Sequence, residues 1–475
     1  MNAAPPFEGP LRVHPTNPRY FTDDSGAVRY LTGSHTWANL LDLKVDGVAD
    51  RADFDYDAYL DMMCGHGHNF MRMWTYDHTK VIPWTDEVVT IGPMAFARVG
   101  PGNALDGEPR FDLTRWNDDY FTRLRRRVIA AGERGIYVAV MLFEGWCLKW
   151  AGPSWDPWLT HPYHRENNVN GVDGDPDRDG VADVYALASP DVLDVQDAYV
   201  RKVLETLNDL DNVLYEVINE IERTDRGVEW HYRMIEFIQS YESTLPKQHP
   251  VGMSAEGGTQ DNAILFAGPA DWIAPGQGEN RIYLHDPPDT EGRKVVIADT
   301  DHLWGHGGTY RWVWKSFTRG LNPIFMDPWG PIPGIGPPGV SRSIVPPTLN
   351  RRDYPDWEPL RRNLGATRRL ADRIDLATMR PRPDLAASTF CLADPGRAYV
   401  VYVPDDAQVI VDLSDATGEF AAQWFSPISG QWQDAPIVTG GSQVNLVSPF
   451  GLDGVLHLSE VRSAVREARR PRGTR

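Results

Sequence analysis

Acidic residues that directly follow apolar segments are the side chains best placed to do chemistry in this sequence. Glu220 follows Asn219 at the end of the run VLYEVIN, and Asp299 and Asp301 follow the run VVIA, with His302 after them. Two carboxylates that face one sugar are the minimum for hydrolysis of a glycosidic bond. One protonates the leaving oxygen, and the other attacks the anomeric carbon or activates water. An Asn-Glu pair is common by chance, so the prediction depends on the elements that hold these acids.

Each acid also has a simpler interpretation, which the sequence leaves open. Asp299 or Asp301 could cap backbone N–H groups at the end of a strand. Glu220 could be an exposed acid at the start of a helix, where the helix dipole favours negative charge.

Short apolar runs alternate with helical patterns along most of the chain and predict an α/β fold. Eight runs have the length and continuity of strands that are buried on both faces. They begin at Val28, His68, Ile136, Asn212, Pro250, Asp271, Lys294 and Pro323. Amphipathic helical segments begin at Asp53, Asp118, Val195 and Val228, and no helix is evident after the sixth run. This alternation predicts a (β/α)8 TIM barrel.

The carboxyl ends of the barrel strands form the rim where the active site of such a fold lies. In this sequence the predicted strand ends are rich in acids, histidine and tryptophan, which suits a sugar-binding cleft. The candidate catalytic residues are Glu220, Asp301 and Asp299. The candidate substrate-binding residues are Asn219, His35, Trp37, Arg72, Trp74, Glu144, Trp146, His302, Trp304, Asp327 and Trp329.

Several of these residues have a predicted role beside a structural alternative. Arg72 could hold a catalytic carboxylate and lower its pKa, or form an ion pair that only supports the barrel. His35 and His302 could bond sugar hydroxyls or be satisfied structural side chains. Glu144 could bind a hydroxyl or be a loop acid, and each tryptophan could stack on a sugar or belong to the core.

The pattern changes after Pro381 to short β-rich segments separated by Gly, Pro, Asp and Ser. This is typical of a small antiparallel β-sandwich. We therefore expect a barrel over residues 1–380, a sandwich over 381–460 and a disordered basic tail over 461–475.

The segments YLTGSHTW, YEVINE and WFSPISGQW resemble the apiosidase-like hydrolases of glycoside hydrolase clan A, from about Pro18 to Leu458. In those proteins a barrel precedes a small sandwich that is often described as a collagen-binding domain. The resemblance is specific for fold and reaction class and does not specify the substrate. It implies a glycosidase with Glu220 as the general acid/base and Asn219 as a neighbouring hydroxyl ligand. Our hypothesis for the substrate is a furanoside or a small oligosaccharide.

The seventh strand departs from the pattern of that family, which typically presents Asp-Gly-Glu-Pro. This sequence has Asp299-Thr300-Asp301-His302, so Asp301 stands where the family has its catalytic Glu. A side chain that is one methylene shorter affects the separation of the two carboxyls, which distinguishes retaining from inverting enzymes. We expect retention, with Asp301 as the nucleophile. Asp299 could instead be the nucleophile, or could orient Asp301 and His302.

An acidic segment after the third strand has the spacing of a calcium loop. Asp175, Asp177, Asp179 and Asp183 supply oxygens in alternation, with a glycine at the turn, but the usual Glu at the twelfth position is missing. A structural Ca²⁺ is therefore one interpretation, and an acidic turn-rich loop is the other. We expect catalysis to need no cofactor.

The net charge and the composition limit the classes of partner that we expect. The chain has 47 basic and 66 acidic side chains and a net charge of −19, which argues against a nucleic-acid backbone binder. It contains no apolar run long enough for a membrane span and no visible signal peptide. We expect a carbohydrate substrate, no nucleic-acid or membrane partner, and a cytoplasmic location, or secretion if the start of the chain has been trimmed.

The cysteine spacing argues against two kinds of site, and two alternative classes of function stay open. Cys64, Cys147 and Cys391 are widely spaced, which predicts neither a disulfide framework nor a structural zinc site. A metal-dependent barrel hydrolase and a non-catalytic carbohydrate-binding protein are the alternatives to a glycosidase. The sequence does not set the oligomeric state.

Overall fold

Parallel strands form a closed barrel at the centre of the chain. The computed structural model describes residues 7–45, 54–80, 88–149, 156–180, 182–220, 224–256, 259–305, 307–329 and 357–461. Within these ranges the barrel strands, named β1 to β8, are Gly33–His35, Phe70–Met73, Tyr137–Glu144, Val213–Asn219, Val251–Ser254, Trp272–Ala274, Val295–Asp299 and Asn322–Met326.

The eight strands pair in chain order from β2 to β8, and β8 pairs with β1, all in parallel. Between β1 and β2 the backbone N–H of Asn69 donates to the carbonyl of Thr32 at 2.9 Å. Each predicted apolar run contains one barrel strand, so the predicted (β/α)8 fold is confirmed. Val28–Arg29, at the start of the first run, belongs instead to a small N-terminal sheet with Arg12–Val13 and Phe21–Thr22.

Helices alternate with most of the barrel strands. They are named α1 to α9: Tyr56–His66, Asp118–Gly132, Pro190–Leu207, Asp225–Glu242, Ala263–Ala267, Ile282–His285, Thr300–Trp304, Tyr310–Thr318 and Glu358–Ala371. Short 3-10 turns lie at Cys147–Lys149, Pro157–Thr160, Glu279–Arg281 and Pro383–Leu385.

Local chemistry explains which helices could be predicted. The side chain of Asp55 caps α1 by accepting from the N–H of Ala58, and Gly67 ends α1 in the left-handed region with φ 81°. After β6, where the sequence showed no helix, a 3-10 turn with Asn280 at φ 53° leads into the single turn of α6. A segment this short and irregular has no helical periodicity to detect.

Two antiparallel strand pairs are inserted between β1 and α2. Asp42–Val45 pairs with Val89–Gly92, and Phe96–Asn103 pairs with Pro109–Trp116. They flank one side of the barrel rim and were not predicted.

The lower part of the barrel is filled by apolar side chains, which leaves the polar chemistry to the upper part. Leu31, Phe70, Leu214, Trp272 and Ile297 share one buried cluster there. Because side chains alternate along a strand, the residues two positions further on point into the same interior, one layer closer to the rim.

The C-terminal part consists of antiparallel strands, as predicted. The strands β9 to β16 are Arg380–Pro381, Cys391–Asp394, Ala398–Val403, Gln408–Asp412, Glu419–Phe425, Trp432–Thr439, Gln443–Val447 and Gly454–Glu460. Six form one sheet in the order β9-β10-β11-β16-β13-β14, and β12 pairs with β15. The predicted basic tail lies, after Val461, outside the described residues.

The barrel and the C-terminal sheets share a buried cluster. Trp314 on α8 packs against Phe425 on β13 with ring centroids 5.4 Å apart. Beside this contact, Arg311 pairs with Asp453 at 2.8 Å. In the described part of the chain, the helices lack the combination of length and apolar character that crossing a lipid bilayer requires.

Candidate active site

Four barrel strands bring polar side chains into the upper interior of the barrel. His35 lies on β1, Arg72 on β2, Glu216 on β4 and Asp299 on β7, and each is 0% exposed. Three of them stand two residues beyond apolar members of the lower layer. A polar layer therefore lies directly above the apolar layer and below the rim.

Arg72 is the hub of this layer. Its Nε and Nη2 donate to the two carboxylate oxygens of Glu216 at 2.7 and 2.6 Å. Nη1 donates to Asp299 Oδ2 at 2.8 Å and to Asp301 Oδ2 at 3.1 Å, and Nη2 also donates to Asn219 Oδ1 at 2.7 Å. The bidentate pair is with Glu216, and the candidate catalytic acids take the remaining side of the guanidinium.

The hydrogen bonds of His35 determine which of its ring nitrogens donates. The indole N–H of Trp74 donates to His35 Nδ1 at 2.7 Å, and an indole nitrogen can only donate. His35 Nε2 therefore carries the proton and donates to Asp299 Oδ1 at 2.9 Å. His35 and Trp74 are two of the predicted sugar ligands. They are hydrogen-bonded to each other, and His35 is also hydrogen-bonded to Asp299 in the acid cluster.

Asp299 and Asp301 differ in environment although they are two residues apart. Asp299 is fully buried and caps α7 by accepting from the N–H of Asp301 at 2.9 Å. Burial opposes its ionisation, but His35 and Arg72 outweigh burial and hold the pKa of Asp299 well below its usual range.

The side chain of Asp301 is 10% exposed. Burial raises the pKa of Asp301 to about 6, with Arg72 opposing the shift and the charge of Asp299 adding to it. Of the two aspartates, Asp299 is the fixed anion and the capping residue, and Asp301 is the one that is open to solvent.

Glu220 meets Asp301 across the barrel mouth. One carboxylate oxygen of Glu220, one of Asp301 and one ring nitrogen of His302 all lie within 4.8 Å of one another. Glu220 follows β4 with a left-handed backbone, φ 50°, and is 6% exposed. A positive φ at a non-glycine residue is strained, and such strain is concentrated at functional sites.

His302 and Asn219 complete the immediate surroundings of this acid pair. His302 Nε2 lies 3.4 Å from Asn219 Oδ1 and 3.7 Å from Asp301 Oδ2. Burial lowers the pKa of His302 to about 3, so its ring is neutral at physiological pH. Sugar contacts by either residue stay a prediction.

Glu144 is buried against its own loop. It accepts the backbone N–H groups of Trp146 at 2.8 Å and Cys147 at 3.0 Å, and Asn219 Nδ2 lies 3.5 Å away. Burial raises its pKa, with the Cys147 contacts opposing the shift. These contacts match the alternative in which Glu144 organises the loop, and a hydroxyl contact stays a prediction.

Asp327 is likewise occupied by a protein partner. Arg361 on α9 donates to both of its oxygens at 2.7 and 2.6 Å, and the side chain of Asp327 is 0% exposed. Contact between Asp327 and substrate stays a prediction.

The predicted tryptophans separate into buried and partly exposed rings. Trp37 and Trp74 are 6% and 3% exposed and pack edge to face. Trp146, Trp304 and Trp329 are partly exposed. The last three rings are partly open to solvent, and sugar stacking by any of the five tryptophans stays a prediction.

The acidic loop gathers part of the predicted calcium set. Carboxylate oxygens of Asp175, Asp177 and Asp179 lie within 4.8 Å of one another. Asp183 follows this turn, and burial together with the charges of these three acids raises its pKa. Calcium at this loop stays a prediction.

Sequence reasoning missed Glu216 and the Asp77–Tyr185 pair. Glu216 lies inside an apolar strand, and an acid flanked by Tyr and Val there was the available signal, because a charge in a buried strand needs a partner. Asp77 accepts from the hydroxyl of Tyr185 and from the N–H of Glu144 at 2.8 Å, and burial raises its pKa to about 7. A contact between segments so far apart in the chain left no local pattern.

Comparison with protein families finds a match that covers part of the barrel. A family described as a domain of unknown function, DUF6298, matches residues 73–270, from the end of β2 to just before β6. No curated protein matches the chain.

Solved structures match over nearly the whole chain. One described as a glycoside hydrolase is 15% identical with a TM-score of 0.62, covering 95% of this chain and 97% of that one. A glycoside hydrolase family 5 structure from Bacteroides vulgatus is 16% identical with a TM-score of 0.62, covering 96% and 95%. At this identity the likeness shows a shared fold, and it includes the C-terminal sheets as well as the barrel.

Proposed function

We propose that this chain is a glycoside hydrolase that uses Glu220 and Asp301 as its two catalytic carboxylates. The observation that carries the proposal is their meeting at the barrel mouth, with one oxygen of each within 4.8 Å. This is the chemistry that glycosidic cleavage requires. The whole-chain likeness to glycoside hydrolase structures supports the same reaction class.

The proposed roles follow from the surroundings of each acid. Asp301 contacts Arg72 through one oxygen and is partly open to solvent, so it can attack an anomeric carbon. Asp299 is less suited to attack because both of its oxygens accept hydrogen bonds and it is fully buried. Glu220 then donates its proton to the leaving oxygen and takes a proton from water in the second step.

The short separation supports retention of anomeric configuration. Retaining enzymes hold their carboxyls about 5 to 5.5 Å apart, whereas inverting enzymes leave about 6.5 to 9.5 Å for a water molecule. An approach within 4.8 Å between oxygens of Glu220 and Asp301 suits direct attack.

The proposed substrate is a furanoside or a small oligosaccharide. The partly exposed rings of Trp146, Trp304 and Trp329 at the rim suit stacking on a sugar face.

A screen of aryl glycosides that includes arabinofuranosides tests the proposal, with NMR identifying the first-formed anomer. Glu220→Gln should lower kcat about 10²- to 10⁴-fold on substrates whose leaving group needs protonation. The loss should be much smaller on aryl glycosides with acidic leaving groups. Asp301→Asn should abolish turnover of both kinds. Unchanged turnover in Glu220→Gln would remove the acid/base assignment, and a first product of inverted configuration would remove the proposed nucleophile.

A metal-dependent hydrolase is the second candidate, because the Glu220, Asp301 and His302 atoms are also close enough to hold an ion. A chelator separates the two proposals. The glycosidase should retain measurable turnover in EDTA even if an ion elsewhere at the rim is removed, whereas a metal hydrolase should lose all turnover and regain it with added metal. A protein that binds sugar with no turnover in the screen would be the non-catalytic alternative.

A further inference from the structure

Three side chains with metal-binding atoms converge beside the acid pair without belonging to it. His78 lies beyond β2, Glu144 ends β3, and Cys147 opens the following 3-10 turn. They are 0%, 1% and 1% exposed. One ligand atom of each lies within 4.8 Å of the other two.

A second carboxylate, that of Asp77, lies beside this cluster and accepts the backbone N–H of Glu144. The hydrogen bonds that Asp77 accepts come from Tyr185 and from a backbone N–H. Those of Glu144 come from backbone N–H groups, an amide and the thiol of Cys147. Within the described residues, no arginine or lysine pairs with either carboxylate, in contrast to the arginine-paired acids nearby. Buried carboxylates normally have a cationic partner or coordinate a metal.

We propose that His78, Glu144 and Cys147 bind a zinc ion. A thiolate, an imidazole and a carboxylate are the ligand types that zinc takes, whereas calcium and magnesium prefer oxygen alone. Three protein ligands leave the fourth tetrahedral position to water. On binding, a Zn–S bond replaces the S–H bond of Cys147 and the proton passes to solvent, with no change of oxidation state.

The site stabilises the rim and is distinct from the catalytic pair. It joins the segment after β2 to the turn after β3. The neighbouring Asn219 amide lies 3.5 Å from Glu144, so the ion also steadies the end of β4. Cysteine spacing predicted no zinc site because a set with one cysteine has no spacing to detect.

Cobalt titration of the full chain tests the site. After removal of metal with a chelator and under reducing conditions, Co²⁺ should bind once per chain with a thiolate-to-cobalt absorption band, and Zn²⁺ should displace it. Cys147→Ser should remove the band and weaken zinc binding by at least about 100-fold. Cys391→Ser is the matched control, since Cys391 is also buried, in the C-terminal sheet, and should keep the band.

X-ray absorption by the zinc-loaded wild-type protein tests the proposal without a variant, in case Cys147→Ser does not fold. It should show one sulfur at about 2.3 Å with nitrogen and oxygen at about 2.0 to 2.2 Å. Nitrogen and oxygen scatterers alone, failure of the wild type to retain zinc, or a cobalt band that survives in Cys147→Ser would each overturn it.

Discussion

At the scale of single residues, Glu216 determines how Arg72 meets the catalytic acids. Glu216 takes two hydrogen bonds from the guanidinium, so the side that faces Asp299 and Asp301 is fixed. The candidate acids themselves could be predicted because they follow apolar runs. Glu216 could not, because its signal was one charge inside a strand and its partner is 144 residues away in the chain.

Replacing Glu216 by Gln should reduce kcat more than it changes KM, because Arg72 would lose its fixed orientation. Breaking a buried pair should also lower the free energy of unfolding by about 3 to 5 kcal/mol. Removing this negative charge leaves Arg72 freer to attract Asp301, so the pKa of Asp301 should fall. Activity profiles against pH and denaturant unfolding measure these effects.

Glu242→Gln is the matched control for Glu216→Gln. Glu242 is 1% exposed and, as the last residue of α4, bonds His249 just before β5, at the end of the barrel opposite the rim. The Glu242→Gln variant should be less stable than the wild type, with no shift in its profile of activity against pH. If the Glu216→Gln variant and the wild type had the same profile of activity against pH, Glu216 would have only a structural role.

The ionisation of Asp301 should set the pH below which kcat/KM falls. Its pKa is raised to about 6, and a nucleophile must be ionised to attack. Below this pH the carboxyl carries a proton, so kcat/KM should fall as the pH drops through about 6. A rate that is constant across this region, measured on an aryl glycoside, would contradict the nucleophile assignment.

At the scale of elements, buried parallel strands were predictable and inserted ones were not. The barrel runs are continuously apolar because both faces of each strand are covered. The inserted strand Phe96–Asn103 contains two glycines and a proline and is half exposed, so its sequence is typical of a loop. The short α5 and α6 depend on tertiary contacts more than on periodicity.

The acidic loop should respond to calcium if its carboxylates bind the ion. Three acids converge there, and Tyr185, just beyond them, bonds Asp77 at the rim. Calcium should raise Tm, since a ligand that binds only the folded state stabilises it, by about 2.7 kcal/mol at 100 times Kd.

Asp175→Asn combined with Asp177→Asn should abolish the rise in Tm, while Asp406→Asn, in an exposed turn of the C-terminal sheets, should preserve it. Equal Tm values with calcium and with chelator would favour the acidic-turn interpretation.

At the scale of the whole molecule, the two parts were predicted in the right order, but their shared core was not. Residues on both sides have the patterns of their own domains, and sequence periodicity does not show which surfaces meet. Trp314 donates to Asn363 at 2.7 Å, and Asn363 donates to the carbonyl of Pro427 at 2.9 Å beyond β13. The junction is therefore both apolar and hydrogen-bonded.

This junction predicts that the barrel and the C-terminal sheets unfold as one unit. Phe425 is 3% exposed and packs on Trp314, so Phe425→Ala should cost about 3 to 5 kcal/mol and lower the temperature of a single calorimetric transition. Ile437, 59% exposed on β14, provides the control, because Ile437→Ala removes little buried surface and should leave Tm nearly unchanged.

The shared core also predicts that residues 1–380 alone should be poorly soluble, since they would expose the barrel side of this core. Two separate transitions, of which Phe425→Ala moved only one, would show that the parts are independent, and the C-terminal sheets would then have no structural role for the barrel.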